Sequence, residues 1–171
     1  YAGVLRHILD IGANAVLLAG PGEETIARAV ADMAGVTAGA ERFLDLSGKT
    51  SLLSLAALLA RLDCYVGNDS GVMHLAWAQH TPVTAIFGPT TQSLGFWPRG
   101  AGSSVIQVEE SCRPCGLHGH AVCPQGHFRC MKRVSAAMVW QDVEHKLQMH
   151  AAHACPAYAP HAEAKGKEHV L

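Results

Sequence analysis

Apolar residues recur along this chain in two alternating rhythms, and the alternation predicts its architecture. Tyr1, Val4, Leu5, Ile8 and Leu9 fall at helical spacing and predict an opening helix, with Gly12 as its stop. Ala15 to Ala19 is a short unbroken apolar run of the kind buried in a parallel sheet. Gly20-Pro21-Gly22-Glu23-Glu24 then turns the chain into a second helix, whose apolar positions include Ile26, Val30 and Met33. Phe43 to Leu46 is the next strand, and Leu52, Leu55, Ala56, Leu59 and Leu62 trace a strongly apolar third helix capped by Thr50 or Ser51. Cys64 to Val66, Val83 to Phe87 and Val105 to Val108 read as three further strands, with a helix opening near Gly71. Ser135 caps a final helix in which Val139, Val143 and Leu147 repeat at four-residue steps, with Trp140 on the flank. Strands separated by helices are the pattern of βαβ units, so the predicted class is α/β, a doubly wound, Rossmann-like parallel sheet with ligands at the carboxyl ends of the strands. The domain is expected to span residues 1–149. From there the pattern dissolves into Ala, His, Pro and Lys, and residues 150–171 are expected to form a solvated, disordered tail.

One stretch concentrates the polar chemistry. Tyr65-Val66-Gly67-Asn68-Asp69-Ser70-Gly71-Val72-Met73-His74 is a strand that breaks into a tight polar turn and then opens a helix. Asp69 or Ser70 can cap that helix, whose first N–H groups have no partner within it and carry partial positive charge. A phosphate is the natural ligand of such a corner, and Gly71 has no side chain to block its approach. His74 follows Ser70 by four positions, which places the imidazole on the same helical face. Two other glycine-containing turns do not match known phosphate loops. Gly20-Pro21-Gly22 lacks the G-x-G-x-x-G spacing, and Gly48-Lys49-Thr50 has Phe43 where a P-loop needs its first glycine.

Composition narrows the classes of function. The 171 residues are 49% hydrophobic, enough for one globular domain with its own core. A formal net charge of −1 offers no basic field for a nucleic-acid backbone. No apolar run reaches the length of a membrane span, and a cytoplasmic location is expected. Six cysteines beside a sizeable apolar core suit a reducing compartment. Four of them, Cys112, Cys115, Cys123 and Cys130, lie with His118, His120 and His127 in a segment, residues 109–133, that breaks the βα rhythm. A structural zinc, buried free thiols and a disulfide all account for that spacing.

The run Asn68-Asp69-Ser70-Gly71-x-x-His74-Leu75-Ala76, with Thr81-Pro82-Val83-Thr84-Ala85-Ile86-Phe87-Gly88-Pro89-Thr90 after it, resembles the donor-binding half of glycosyltransferase family 9, the bacterial lipopolysaccharide heptosyltransferases. Cys112-x-Pro114-Cys115 and Cys123-Pro124-x-Gly126-His127-x-x-Cys130 recur in that family as well. The resemblance implies the C-terminal half of a GT-B enzyme, with an acceptor-binding domain upstream that this chain does not include. It implies an ADP-activated L-glycero-D-manno-heptose as donor, the inner core of lipopolysaccharide (lipid A-core) as acceptor, and inversion at the anomeric carbon. No cofactor is implied, and peripheral membrane contact follows only from the lipid nature of the acceptor.

Under that resemblance Glu24, with Glu23 close behind it by spacing, holds the donor ribose, Thr50 touches the nucleotide, and Gly88 to Thr91 border the donor. Ser70 and Gly71 hold phosphate oxygens, Asp69 accepts from sugar hydroxyls or caps the helix, and His74 is the catalytic residue, donating to the departing diphosphate or to a sugar hydroxyl. The general base would lie in the upstream half, so the fragment alone is expected to bind without transferring. The rival expectations are a nucleotide-binding module without catalysis and a zinc-stabilised interaction module.

Overall fold

In a computed structural model, described for residues 1–37, 39–100 and 102–153, five strands and six α-helices follow one another along the chain. They are α1 (Ala2–Asp10), β1 (Ala15–Leu17), α2 (Glu24–Ala34), β2 (Phe43–Asp45), α3 (Leu52–Leu59), β3 (Tyr65–Asn68), α4 (Gly71–Ala78), β4 (Val83–Ile86), β5 (Ser104–Ile106), α5 (Arg129–Lys132) and α6 (Ala136–His153). All strand pairs are parallel, as the βα rhythm predicts. They form two ladders: β1 pairs with β2, while β4 lies between β3 and β5. Tyr65 stands opposite Val83 and Asn68 opposite Ile86, so β3 and β4 end side by side.

Alternation along β4 explains why the sheet is covered on both faces. Val83, Ala85 and Phe87 point into a cluster with Leu59, Met73 and Ala76 from α3 and α4. Ile86 belongs to a second cluster with Val4 of α1 and Val139 and Val143 of α6. Successive side chains of a strand point to opposite faces, so a central strand between helical layers is buried on both, and its one polar residue, Thr84, has its hydroxyl bonded to Asp142. Leu59, Met73, Val83 and Phe87 are wholly buried, and each contributes about 1.5–3 kcal/mol of transfer free energy. A third cluster joins Leu5, Ala15 and Ala34, with Phe43 and Val30 packed on it, and fixes α1 and α2 to the β1–β2 ladder.

Three sequence expectations need correction. In α2 the residues facing inward are Ala27, Ala31 and Ala34, whereas Ile26 and Met33 are 67% and 70% exposed. The small side chains let α2 lie close against α1, and that proximity decides which stripe is buried. Leu52, at the start of α3, is 75% exposed, and burial in that helix comes from Leu59 with Leu55. The last helix runs to His153, so residues 150–153 of the expected tail are helical; residues 154–171 lie outside those described. Its cap is as expected, the Met138 N–H donating to Ser135 Oγ at 3.2 Å. Ser51, not Thr50, caps α3, accepting the Ser54 N–H at 3.2 Å.

Candidate functional site

The strand-to-helix corner after β3 is open. Asn68, Ser70 and Gly71 are exposed, and a methyl group placed on Gly71 would meet nothing within 4 Å. Ser70 occupies the N-cap position with extended backbone, yet its hydroxyl makes no capping bond. The first turn-closing bond of α4 runs from the His74 N–H to the Ser70 carbonyl at 3.3 Å. The N–H groups of Gly71 and Val72 precede that bond, so both are donors left over by helix geometry and available to an anion.

Asp69 does not cap the helix. Its Oδ2 accepts the Thr90 hydroxyl at 2.7 Å, and its Oδ1 stands 3.9 Å from His74 Nε2. Thr90 is buried and stands in the loop after β4, so the adjacent ends of β3 and β4 jointly set the orientation of the carboxylate. The imidazole is 40% exposed beside this carboxylate and reaches the open corner. Arg113 braces the loop from behind, donating to the carbonyls of Thr90 (2.8 Å) and Val108 (2.6 Å) and to Gln107 Oε1 (2.7 Å). Sequence reasoning missed Arg113, because a lone arginine in an irregular segment carries no periodic signal.

Glu24 and Thr50 belong to the ends of the other ladder. Glu24 opens α2, and its Oε1 accepts the Gly22 N–H at 3.1 Å. That bond and the helix's own backbone N–H hold the carboxyl below its usual range. The carboxylate lies over Gly48, where an added Cβ would stand 2.3 Å from Oε1; glycine is therefore required for Glu24 to lie there. Thr50 is two residues further along that loop and half-buried. Glu23 is occupied separately, accepting the Gly20 N–H at 2.8 Å. No hydrogen bond or ion pair among the described residues joins Glu24 or Thr50 to the Asp69–His74 group.

The cysteine-rich segment folds against the β4 loop. The Cys115 N–H donates to the Pro89 carbonyl at 3.0 Å, and Cys130 and Met131 pack on Gly88. All five described cysteines are free thiols. Backbone N–H groups of the turn that follows, that of Phe128 first, hold the Cys123 thiol somewhat below its usual range. The ligand atoms gathered within 4.8 Å of one another are those of Glu110, Cys112 and His127, and the four cysteines form no group so close. Those three do not fit a metal. Glu110 is taken up by Arg133 at 2.8 Å and Arg129 at 3.4 Å, and His127 Nδ1 accepts the Arg129 N–H, so a neutral ring carries its proton on Nε2.

Comparison with known proteins bears on the family and the fold. The profile of "Glycosyltransferase family 9 (heptosyltransferase)" matches residues 1–124. A lipooligosaccharide heptosyltransferase 2 of Campylobacter jejuni subsp. jejuni serotype O:6 is 28% identical over 100 residues, covering 58% of this chain and 31% of the relative. The lipopolysaccharide heptosyltransferase 2 of Escherichia coli K12 is 28% identical over 92 residues, 53% of this chain and 26% of that protein. The solved structure of E. coli ADP-heptose LPS heptosyltransferase II superposes with a TM-score of 0.69 at 20% identity, covering 88% of this chain and 41% of the other. The matched part is thus less than a third of the length of these curated relatives.

Proposed function

Given that the chain belongs to glycosyltransferase family 9, we propose that it binds the nucleotide-sugar donor of a heptosyl transfer to lipopolysaccharide, with ADP-L-glycero-D-manno-heptose as that donor. The observation that carries the reading is the open corner at Ser70 and Gly71 with His74 and Asp69 on its rim. The diphosphate lies on the N–H groups of Gly71 and Val72, and the Ser70 hydroxyl, unused as a cap, donates to a phosphate oxygen. As the sugar leaves with inversion, negative charge grows on the departing ADP. The fixed donors stabilise that charge, and the His74 Nε2–H donates to the diphosphate or to a sugar hydroxyl beside it.

Asp69, held by Thr90, stands 3.9 Å from His74 Nε2 and keeps its other oxygen free to accept from a sugar hydroxyl. Glu24, one oxygen already occupied by Gly22, offers the other to the vicinal hydroxyls of the ribose, and Thr50 borders the nucleotide. The acceptor, an inner-core saccharide on lipid A, and the base that deprotonates it belong to a part of the enzyme outside this chain. The location expected of such an enzyme is the cytoplasmic side of the membrane, in peripheral contact with it; no described helix is long and apolar enough to cross a bilayer.

No cofactor takes part in this chemistry. Metal analysis of the purified protein addresses the cysteines: about one zinc per chain would draw Cys112, Cys115, Cys123 and Cys130 together around one ion, and none would leave them as free thiols. The donor reading is tested by thermal unfolding of this chain with ADP and with ADP-heptose. Ligand at about 100 times its dissociation constant should add about 2.7 kcal/mol of stability and raise Tm by several degrees. An unchanged Tm at millimolar concentrations of both would overturn the reading.

A further inference from the structure

We propose that the turn at residues 116–120 forms one wall of the transfer site, with Phe96 and His118 making an aromatic platform beside His74 for the sugar of the donor. Three segments distant in sequence supply the three rings. His74 from α4 meets Phe96 edge-on with ring centroids 6.4 Å apart, and Phe96 meets His118 at 5.7 Å with the rings tilted by 38°. Phe96 is not part of any of the three apolar clusters, whereas its neighbour Trp97 points inward against Phe87 at 5.2 Å. A half-buried phenyl ring held between two imidazoles, one of them on the rim of the open corner, does little for the core.

The turn that carries His118 is fixed in place. Gly119 has φ +73°, and a Cβ there would stand 2.4 Å from Pro89 Cγ, so this backbone lies directly on the β4 loop. The Cys115 N–H to Pro89 bond anchors the start of the turn, and the His120 ring bonds the Cys115 carbonyl across it. His118 itself is exposed and bonded to nothing else among the described residues. A pyranose has an apolar C–H face and a polar rim, which suits an aromatic surface flanked by ring nitrogens. The cysteine-rich segment thereby acquires a role in recognition as well as in bracing the loop.

The inference rests on the donor reading, and one comparison separates the two. Isothermal titration of the purified protein with ADP and with ADP-heptose gives a preference ratio for the sugar-bearing ligand. Phe96→Ala and His118→Ala should each lower that ratio at least about fivefold while the affinity for ADP changes less than about twofold, and Phe96→Trp should restore most of the ratio. A ratio unchanged in both alanine variants overturns the platform and leaves the donor reading intact. Equal losses for both ligands would mean that the two residues only stabilise the corner, which also overturns it. Failure of the wild-type protein to bind either ligand would remove both proposals.

Discussion

At the scale of single residues, the site depends on what is missing as much as on what is present. Gly71 faces open space, so Gly71→Ala should fold normally, with Tm unchanged or slightly raised because alanine suits the first turn of a helix. The added methyl group sits where the proposed diphosphate would approach, and ADP affinity measured by titration should fall about tenfold, or about 1.4 kcal/mol. A variant that binds ADP as tightly as the wild type would place the diphosphate elsewhere. His74→Ala, assayed in the complete transferase, should lower heptose transfer at least about tenfold with little change in Tm. The corner itself was legible in the letters, because a strand ending in Asn-Asp-Ser-Gly is a local signal. The partner of Asp69 was not, since Thr90 lies 21 positions away and only the parallel register of β3 and β4 brings it there. Phe96 and Arg113 were missed, and His118 was read only as a neighbour of the cysteines, because irregular segments have no period from which a facing direction can be read.

At the scale of elements, α6 carries a polar cluster that the apolar spacing concealed. Asp142 accepts hydrogen bonds from Thr84 of β4, Ser104 of β5 and Lys146 one turn further along, and the Lys146 side chain is only 9% exposed. Burial alone would raise the Asp142 carboxyl, but the bonds from Lys146, Ser104 and Thr84 outweigh it and hold the group below its usual range. Nearby, burial pushes the Cys64 thiol up to about 11, which makes it inert. A carboxylate with a depressed folded-state pKa contributes stability that is fully present above its unfolded value, near pH 4, and is lost as pH falls through the folded one. Urea unfolding should therefore show stability declining below about pH 4, and less steeply in Asp142→Asn. At neutral pH Asp142→Ala should cost about 3–5 kcal/mol, because Lys146 is left buried without its counter-charge. A loss below about 1 kcal/mol would show that water replaces the carboxylate.

At the scale of the whole molecule, the two ladders differ in how deeply they are set. β4 is buried along its whole length between two helical layers, whereas Leu44 of β2 is 51% exposed and no residue of that strand is buried. Amide hydrogen exchange should be slower in β4 than in β2 by at least about tenfold, since local opening follows the density of buried contacts. Equal protection would show that the ladders open together. The doubly wound α/β class was readable from the βα rhythm, but the division of strands into two ladders was not, because pairing depends on contacts far apart in sequence. Nor could the alternation of large and small residues in α2 say which stripe faces inward.

The alanines of α2 also govern something chemical. Glu24 stands at the head of that helix, so the depth at which Ala27 and Ala31 settle fixes the height of its carboxylate above Gly48. Enlarging Ala31 to leucine would lift the rod outward and carry the acid with it, at an overpacking cost of about 1–3 kcal/mol. On the proposed contact of Glu24 with the donor ribose, ADP affinity measured by titration should then fall through a side chain that never meets the ligand.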